Sequence, residues 1–249
     1  MRLYLASTSP ARLATLRAAG IEPILLPSFV DEDAAVADAI AAGLGSLPDG
    51  TLTGPEMVLL LARAKAEAVV GRLVDGEPID GIILGGDSAF ELDGVISGKP
   101  HLPAVARERW LLQRGREGLL HSGHWTIDHR GGVAARGVAT PGGAAAGEGT
   151  GLLSSGPAGP VPVAAGVGDV STTSVRFADN ITDAEIDAYI ATGEPLEVAG
   201  AFTIDGLGAA FISEVRGDPH AVVGLSLAQL RQLLLQFDVS WPTLWNRSA

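Results

Sequence analysis

The stretch Ile79-Asp80-Gly81-Ile82-Ile83-Leu84-Gly85-Gly86-Asp87-Ser88 decides the fold. Its apolar run Ile82, Ile83, Leu84 is continuous, not alternating, which marks residues 79–86 as a strand covered on both faces of a sheet. The run ends at Gly85-Gly86-Asp87-Ser88. Asp87, after two glycines, takes a position where functional carboxylates stand at a sheet edge. An Asx-type turn accounts for the same residue equally well. A hairpin follows, turning at Asp93-Gly94 between 90–92 and 95–96.

Outward from this strand, the chain alternates strands and helices. On the N-terminal side, residues 3–6 form a short apolar strand. Ser9 before Pro10 reads as an N-cap with proline in the first helical position, opening a helix that stops at Gly20. A second strand spans 23–27, followed by the acidic run Asp31-Glu32-Asp33. Pro55 and Glu56 open a long helix to about Leu73, with Leu59, Ala62 and Ala66 on its buried stripe. On the C-terminal side come a helix near 103–115, a strand near 118–128 and a strand near 170–178. A capping box, Thr182-Asp183-Ala184-Glu185, opens a helix ending near Gly193. Strands at 201–204 and 209–215 and a helix at 226–237 complete the pattern. The fold class is α/β with a mixed sheet.

The chain has 249 residues, enough for one large domain. Residues 131–168 hold 12 Gly, 9 Ala and 4 Pro with only Arg136 and Glu148 charged, and read as a disordered insertion in a single domain 1–249. Residues 238–249 read as a short C-terminal tail. The absence of cysteine excludes a disulfide scaffold, a thiolate zinc site and a thiol nucleophile. The net charge of -12 argues against a nucleic-acid partner, because a polyphosphate strand would meet a field of its own sign. A small anionic substrate then needs local cations or a metal. Fifteen of the 17 basic residues are Arg, and the only lysines are Lys65 and Lys99. No run of about 18 apolar residues calls for a membrane span, and the apolar N-terminal run stops at Ala6, too short for a signal peptide. A cytoplasmic protein is expected.

Familiar motifs fail. Gly94-Val95-Ile96-Ser97-Gly98-Lys99-Pro100 has three residues between its glycines where a phosphate loop needs four, and Pro100 where Ser or Thr must hold magnesium. No Gly-x-Ser-x-Gly elbow is present. His121, His124 and His129 fit no helical zinc spacing and read as half-exposed strand residues. Ser7, Thr8, Ser9 and Arg12 lie where a strand feeds a helix N-terminus, which favours an anion; a plain cap with a solvated Arg is the competing reading. Glu32 and Asp87 with Lys65 and Lys99 offer two carboxylates and two cations, as a magnesium-dependent phosphoryl site requires.

These segments together resemble the Maf family of nucleotide pyrophosphatases. The resemblance rests on Leu5-Ala6-Ser7-Thr8-Ser9-Pro10-x-Arg12, Leu61-Ala62-x-x-Lys65-Ala66, Gly86-Asp87-Ser88 and Gly98-Lys99-Pro100. In the C-terminal half it rests on Tyr189-x-x-x-Gly193-Glu194-Pro195, Ala199-Gly200-Ala201-Phe202-x-Ile204-x-Gly206 and Val223-Gly224-Leu225. It implies an elongated, two-lobed α/β fold with a central twisted mixed sheet and a cleft in the middle, with a possible homodimer. It also implies hydrolysis of a nucleoside triphosphate to the monophosphate and pyrophosphate with Mg²⁺ or Mn²⁺. Asp87 is then the catalytic base, Glu32 and Asp87 the metal carboxylates, and Ser7, Ser9, Arg12, Lys65 and Lys99 the holders of the triphosphate. The family's pyrimidine branch carries two arginines after the proline, where this chain has Ala11 first, and Gln where Asp205 stands. Asp205 is therefore expected to contact the base and to tilt preference toward a guanine-type or modified nucleotide. The alternatives are a phosphatase releasing orthophosphate and a nucleotide-binding regulator of septum formation with little turnover. A binder has no need of a general base, so Asp87 with Lys65 and Lys99 favours the enzyme.

Overall fold

The structure is a computed structural model and describes residues 1–132 and 166–246. In chain order the elements are β1 (Leu3–Leu5), α1 (Pro10–Ala18), β2 (Ile24–Leu25), α2 (Glu32–Ala41) and α3 (Gly54–Glu67). Then come β3 (Leu73–Val74), β4 (Glu77–Pro78), β5 (Gly81–Leu92), β6 (Val95–Ser97), α4 (Pro103–Gln113) and β7 (Glu117–His129). The C-terminal part holds β8 (Gly166–Phe177), α5 (Asp183–Ala191), β9 (Ile212–Arg216), α6 (Pro219–Val223) and α7 (Leu227–Leu235).

The main sheet has the order β2-β1-β5-β7-β8-β9, with β6 also on β5. β1 runs parallel to β2 and β5, and the other pairings are antiparallel, so the sheet is mixed as expected. Three long strands, β5, β7 and β8, form its spine and pass through both ends of the molecule. At one end the strands carry helices on both faces. Leu3, Leu5, Ile82 and Leu84 pack with Leu16 of α1 and Leu230, Leu233 and Leu234 of α7. Tyr4, Ala6, Ile83 and Ile127 pack on the opposite face with Ala66 and Val69 at the end of α3. At the other end Phe90, Leu120, Val175 and Phe177 meet Trp110 of α4 and Ile186, Tyr189 and Ile190 of α5. Among the described residues no helix is long and apolar enough to cross a membrane.

Several expectations need correction. The strand does not stop at Gly86 but runs to Leu92, so Asp87 lies in mid-strand opposite Gly123. The two glycines are there because side chains would not fit: a Cβ on Gly85 would come 2.1 Å from the Ala62 carbonyl oxygen, and one on Gly86 3.1 Å from Arg12 Nε. The acidic run opens a helix, α2, which Asp31 caps by accepting from the Ala34 N–H at 3.0 Å. Helix α3 ends at Glu67, short of Leu73, and a small hairpin turns at Asp75 and Gly76, both with positive φ. Of the strands expected at 201–204 and 209–215, the first is absent and the second starts only at Ile212, as β9, after 3₁₀ turns.

β8 begins at Gly166, inside the segment read as an insertion, because Gly166 and Gly168 lie under the Trp125 ring, where a Cβ would approach to 2.2 and 2.3 Å. The rest of that segment, 133–165, lies outside the described residues. Nor do residues 238–246 hang free. Val239 and Leu244 are buried in the core beside α7, and the Met1 ammonium donates to the Thr243 carbonyl at 2.9 Å.

Candidate active site

β5 carries a break in its pairing. On one side β7 accompanies it throughout. On the other, β1 pairs only as far as Leu84, and β6 starts at Phe90. Among the described residues, 85–89 therefore have no strand neighbour on that edge, and a cleft of about 1000 Å³ opens there between the two ends of the molecule. All eight residues singled out from the sequence line it: Ser7, Ser9, Arg12, Glu32, Lys65, Asp87, Lys99 and Asp205.

Strand alternation decides which way the residues of β5 around Asp87 face. Ile83, Gly85 and Asp87 face α3, and Gly86 and Ser88 face α1. Helix α3 is anchored by a capping box between Thr53 and Glu56 and lies close on the sheet, since a Cβ on Gly123 would meet the Val58 carbonyl oxygen at 2.3 Å. That approach brings Lys65 Nζ to 2.6 Å from Asp87 Oδ1 and 2.7 Å from Glu32 Oε1. Burial pushes the Asp87 carboxyl above the usual carboxylate range, against the pull of Lys65 and Arg12. A carboxylate with raised proton affinity is a better base near neutral pH.

On the other side, Ser9 caps α1, accepting from the Arg12 N–H at 3.3 Å, and Ser7 Oγ accepts from the Ser9 N–H at 3.1 Å. Arg12 is not a solvated arginine. It is buried, and its guanidinium donates to the Gly224 carbonyl at 2.8 Å, to Ser7 Oγ at 3.1 Å and to Ser88 Oγ at 3.0 Å. Burial pushes its pKa down, while Asp87 and Glu32 oppose the shift. Lys99 and Asp205 are exposed on the cleft wall.

Three residues that the sequence motifs contain without a role acquire one in the structure. Ser88 links Arg12 to Ser122 Oγ at 2.8 Å, although sequence gave it no role beyond following Asp87. Gly224, within the quoted Val223-Gly224-Leu225, contributes its carbonyl. Glu194 holds the loop that carries Asp205: its carboxylate accepts from Tyr189 Oη at 2.9 Å, from the Leu207 and Gly208 N–H groups at 3.0 Å, and from Thr203 Oγ1. Burial pushes the Glu194 pKa up, but these hydrogen bonds outweigh it and hold the carboxyl below its ordinary range. The three strand histidines stand apart from the cleft. They are buried, not half-exposed, because β7 has a strand on either side and helices over it.

Among the described residues no group of three His, Cys, Asp or Glu side chains could hold a metal alone. The chemistry of the site nonetheless suits a hard divalent cation. Glu32 and Asp87 converge on one cationic atom, Lys65 Nζ. The cleft lining also sets three cations, Arg12, Lys65 and Lys99, against five carboxylates, Glu32, Asp33, Asp87, Glu197 and Asp205. Magnesium is commonly held by one or two carboxylates, with water and substrate phosphates completing its shell.

Residues 2–141 and 159–237 match the family model described as Maf-like protein. A protein of Leifsonia xyli named nucleoside triphosphate pyrophosphatase is 58% identical over 249 residues, covering 100% of this chain and 99% of the relative. Proteins of the same name from Saccharopolyspora erythraea and Salinispora tropica are 44% and 42% identical. They cover 99% and 100% of this chain, and 98% and 89% of their own lengths.

Proposed function

The chain belongs to the Maf family, and from that premise we propose that it hydrolyses a nucleoside triphosphate to the monophosphate and pyrophosphate in the cleft around Asp87. The observation that carries the reading is the setting of Asp87: a buried carboxylate at an unpaired stretch of β5, 2.6 Å from Lys65 and facing a cleft lined by Ser7, Ser9 and Arg12.

In this reading Asp87 takes a proton from the water that attacks the α-phosphorus. The new P–O bond forms as the bond from the α-phosphorus to the α,β-bridging oxygen breaks, and pyrophosphate leaves with that oxygen. Arg12 and Lys99 meet the charge that develops on the leaving group, and the α1 N-terminus with Ser7 and Ser9 holds phosphate oxygens. Lys65 orients Asp87 and keeps its deprotonated form within reach. Glu32 and Asp87 would hold Mg²⁺ or Mn²⁺, which supplies charge neutralisation for the phosphates when bound. Asp205, on the loop held by Glu194, favours a guanine-type or modified base, because a carboxylate accepts from both N1–H and the exocyclic amine. The role that fits such an activity is removal of unwanted nucleotides in the cytoplasm.

The test is a panel of ordinary and modified nucleoside triphosphates with Mg²⁺ or Mn²⁺, with the products resolved. Monophosphate plus pyrophosphate supports the reading, with guanine-type substrates turned over faster than pyrimidines. Diphosphate plus orthophosphate overturns it.

A further inference from the structure

Phe29 lines the cleft in a conformation that its own chemistry opposes. Its φ is 53°, in the left-handed region that bulky side chains rarely enter. The residue is also 83% exposed. Among the described residues the other non-glycine positions with positive φ are Asp75, Asp93, Asp238, His101 and Ala201. Aspartate tolerates this region well, and alanine is small; Phe29 alone pairs the strained backbone with a large apolar ring. His101 shares the positive φ and the exposure, but its ring is polar; at Phe29 the strain and the exposure of an apolar ring coincide, and neither stabilises the fold.

The conformation is imposed from both sides. Arg72 Nη1 donates to the Pro27 carbonyl at 2.7 Å and Nη2 to the Ser28 carbonyl at 3.4 Å, fixing the two residues ahead of Phe29. Two residues after it, Asp31 caps α2. Three residues after it, Glu32 reaches Lys65, and Lys65 reaches Asp87. Phe29 therefore lines the same cleft as Ser7, Arg12, Lys65 and Asp87, three residues along the chain from the carboxylate that meets Lys65.

We propose that Phe29 is the platform on which the substrate's nucleobase stacks, an inference that rests on the reading of the cleft as a nucleoside triphosphate site. An exposed aromatic face beside a phosphate subsite suits a flat heteroaromatic ring, and stacking accepts any base because every base has a π-face. Phe29 supplies affinity, and edge-reading groups such as Asp205 supply the choice among bases.

Calorimetric binding of a non-hydrolysable nucleoside triphosphate and of inorganic tripolyphosphate, both with Mg²⁺, tests this on the full chain and on F29A, F29W and F29G. F29A and F29G are expected to weaken nucleotide binding roughly tenfold or more, the scale of one lost base stack, while tripolyphosphate binding stays unchanged. F29W should retain nucleotide affinity. F29G should also melt at a higher temperature than the wild type, because glycine adopts this φ without strain. In turnover, F29A should raise KM and leave kcat nearly unchanged. Equal losses for nucleotide and tripolyphosphate would overturn the proposal, since the residue would then shape the phosphate loop. Unchanged nucleotide affinity in F29A would overturn it too. Wild-type protein that binds tripolyphosphate but no nucleotide would overturn the functional reading and the stacking proposal together.

Discussion

Asp87 owes its properties to its burial and to two neighbours that are distant in sequence, Lys65 and Arg12. Burial raises its pKa, while Lys65 and Arg12 draw it back. Asp87→Asn should lower kcat by at least about 10²-fold, with nucleotide binding still measurable by calorimetry. The acid limb of kcat/KM should reflect the same carboxyl in the free enzyme: activity falls as pH drops through its raised pKa. Removing the Lys65 charge removes a pull that stabilises the carboxylate, so Lys65→Met should move this limb to higher pH. A limb that stays in place would separate Lys65 from the ionisation of Asp87. The residue types at the site were legible in the sequence: the two lysines, the serines of the β1–α1 turn, and an aspartate behind two glycines. The position of Asp87 in mid-strand was not. Gly85-Gly86 reads locally as a strand end, and only the helix carbonyl against Gly85 and the guanidinium against Gly86 explain why a strand keeps two glycines there.

At the level of elements, α3 is the piece that brings chemistry to the sheet. Its backbone lies so close to β5 and β7 that Gly85 and Gly123 have no room for a Cβ. Gly123→Ala should force α3 outward, costing about 1–3 kcal/mol in denaturant unfolding and lowering kcat by moving Lys65 from Asp87. A loss of stability with unaltered kcat would show that Lys65 tolerates the displacement. Helix and hairpin starts were legible wherever a capping residue or a turn dipeptide marks them, as at Ser9, Thr182 and Asp93-Gly94. The segment from 201 to 211 misled because Phe202 and Ile204 alternate as in a strand. Among the described residues no strand pairs with that segment; Glu194 accepts from the Leu207 and Gly208 N–H groups instead. Nothing local announces that a carboxylate several residues earlier will do so.

For the molecule as a whole, the long central strands make the site's surroundings part of the fold's stability. His124 sits fully buried on β7 and accepts from the Ser226 N–H at 2.9 Å at the start of α7. Burial and the nearby Arg12 hold its pKa down to about 4, against an ordinary value of 6.5. The neutral ring therefore stabilises the fold above about pH 6.5, and that contribution is lost as pH falls toward 4. Between pH 7 and 4.5, wild-type unfolding free energy should fall by roughly 2–3 kcal/mol more than that of His124→Gln, whose amide oxygen can still accept from Ser226. Parallel losses in the two proteins would remove His124 from the acid response. The burial of the histidines was invisible in sequence because it depends on sheet order, which no local pattern encodes.

The interrupted edge of β5 has a further consequence. Unpaired strand edges invite edge-to-edge aggregation, and proteins usually blunt them with charge, bulges or covering loops. Here the open run is only residues 85–89, bounded by β1 at one end and β6 at the other, and it carries a buried carboxylate. Such a window is too short to recruit another chain, yet wide enough for a small ligand, so an opening in the middle of the sheet carries little of the aggregation risk of a free edge.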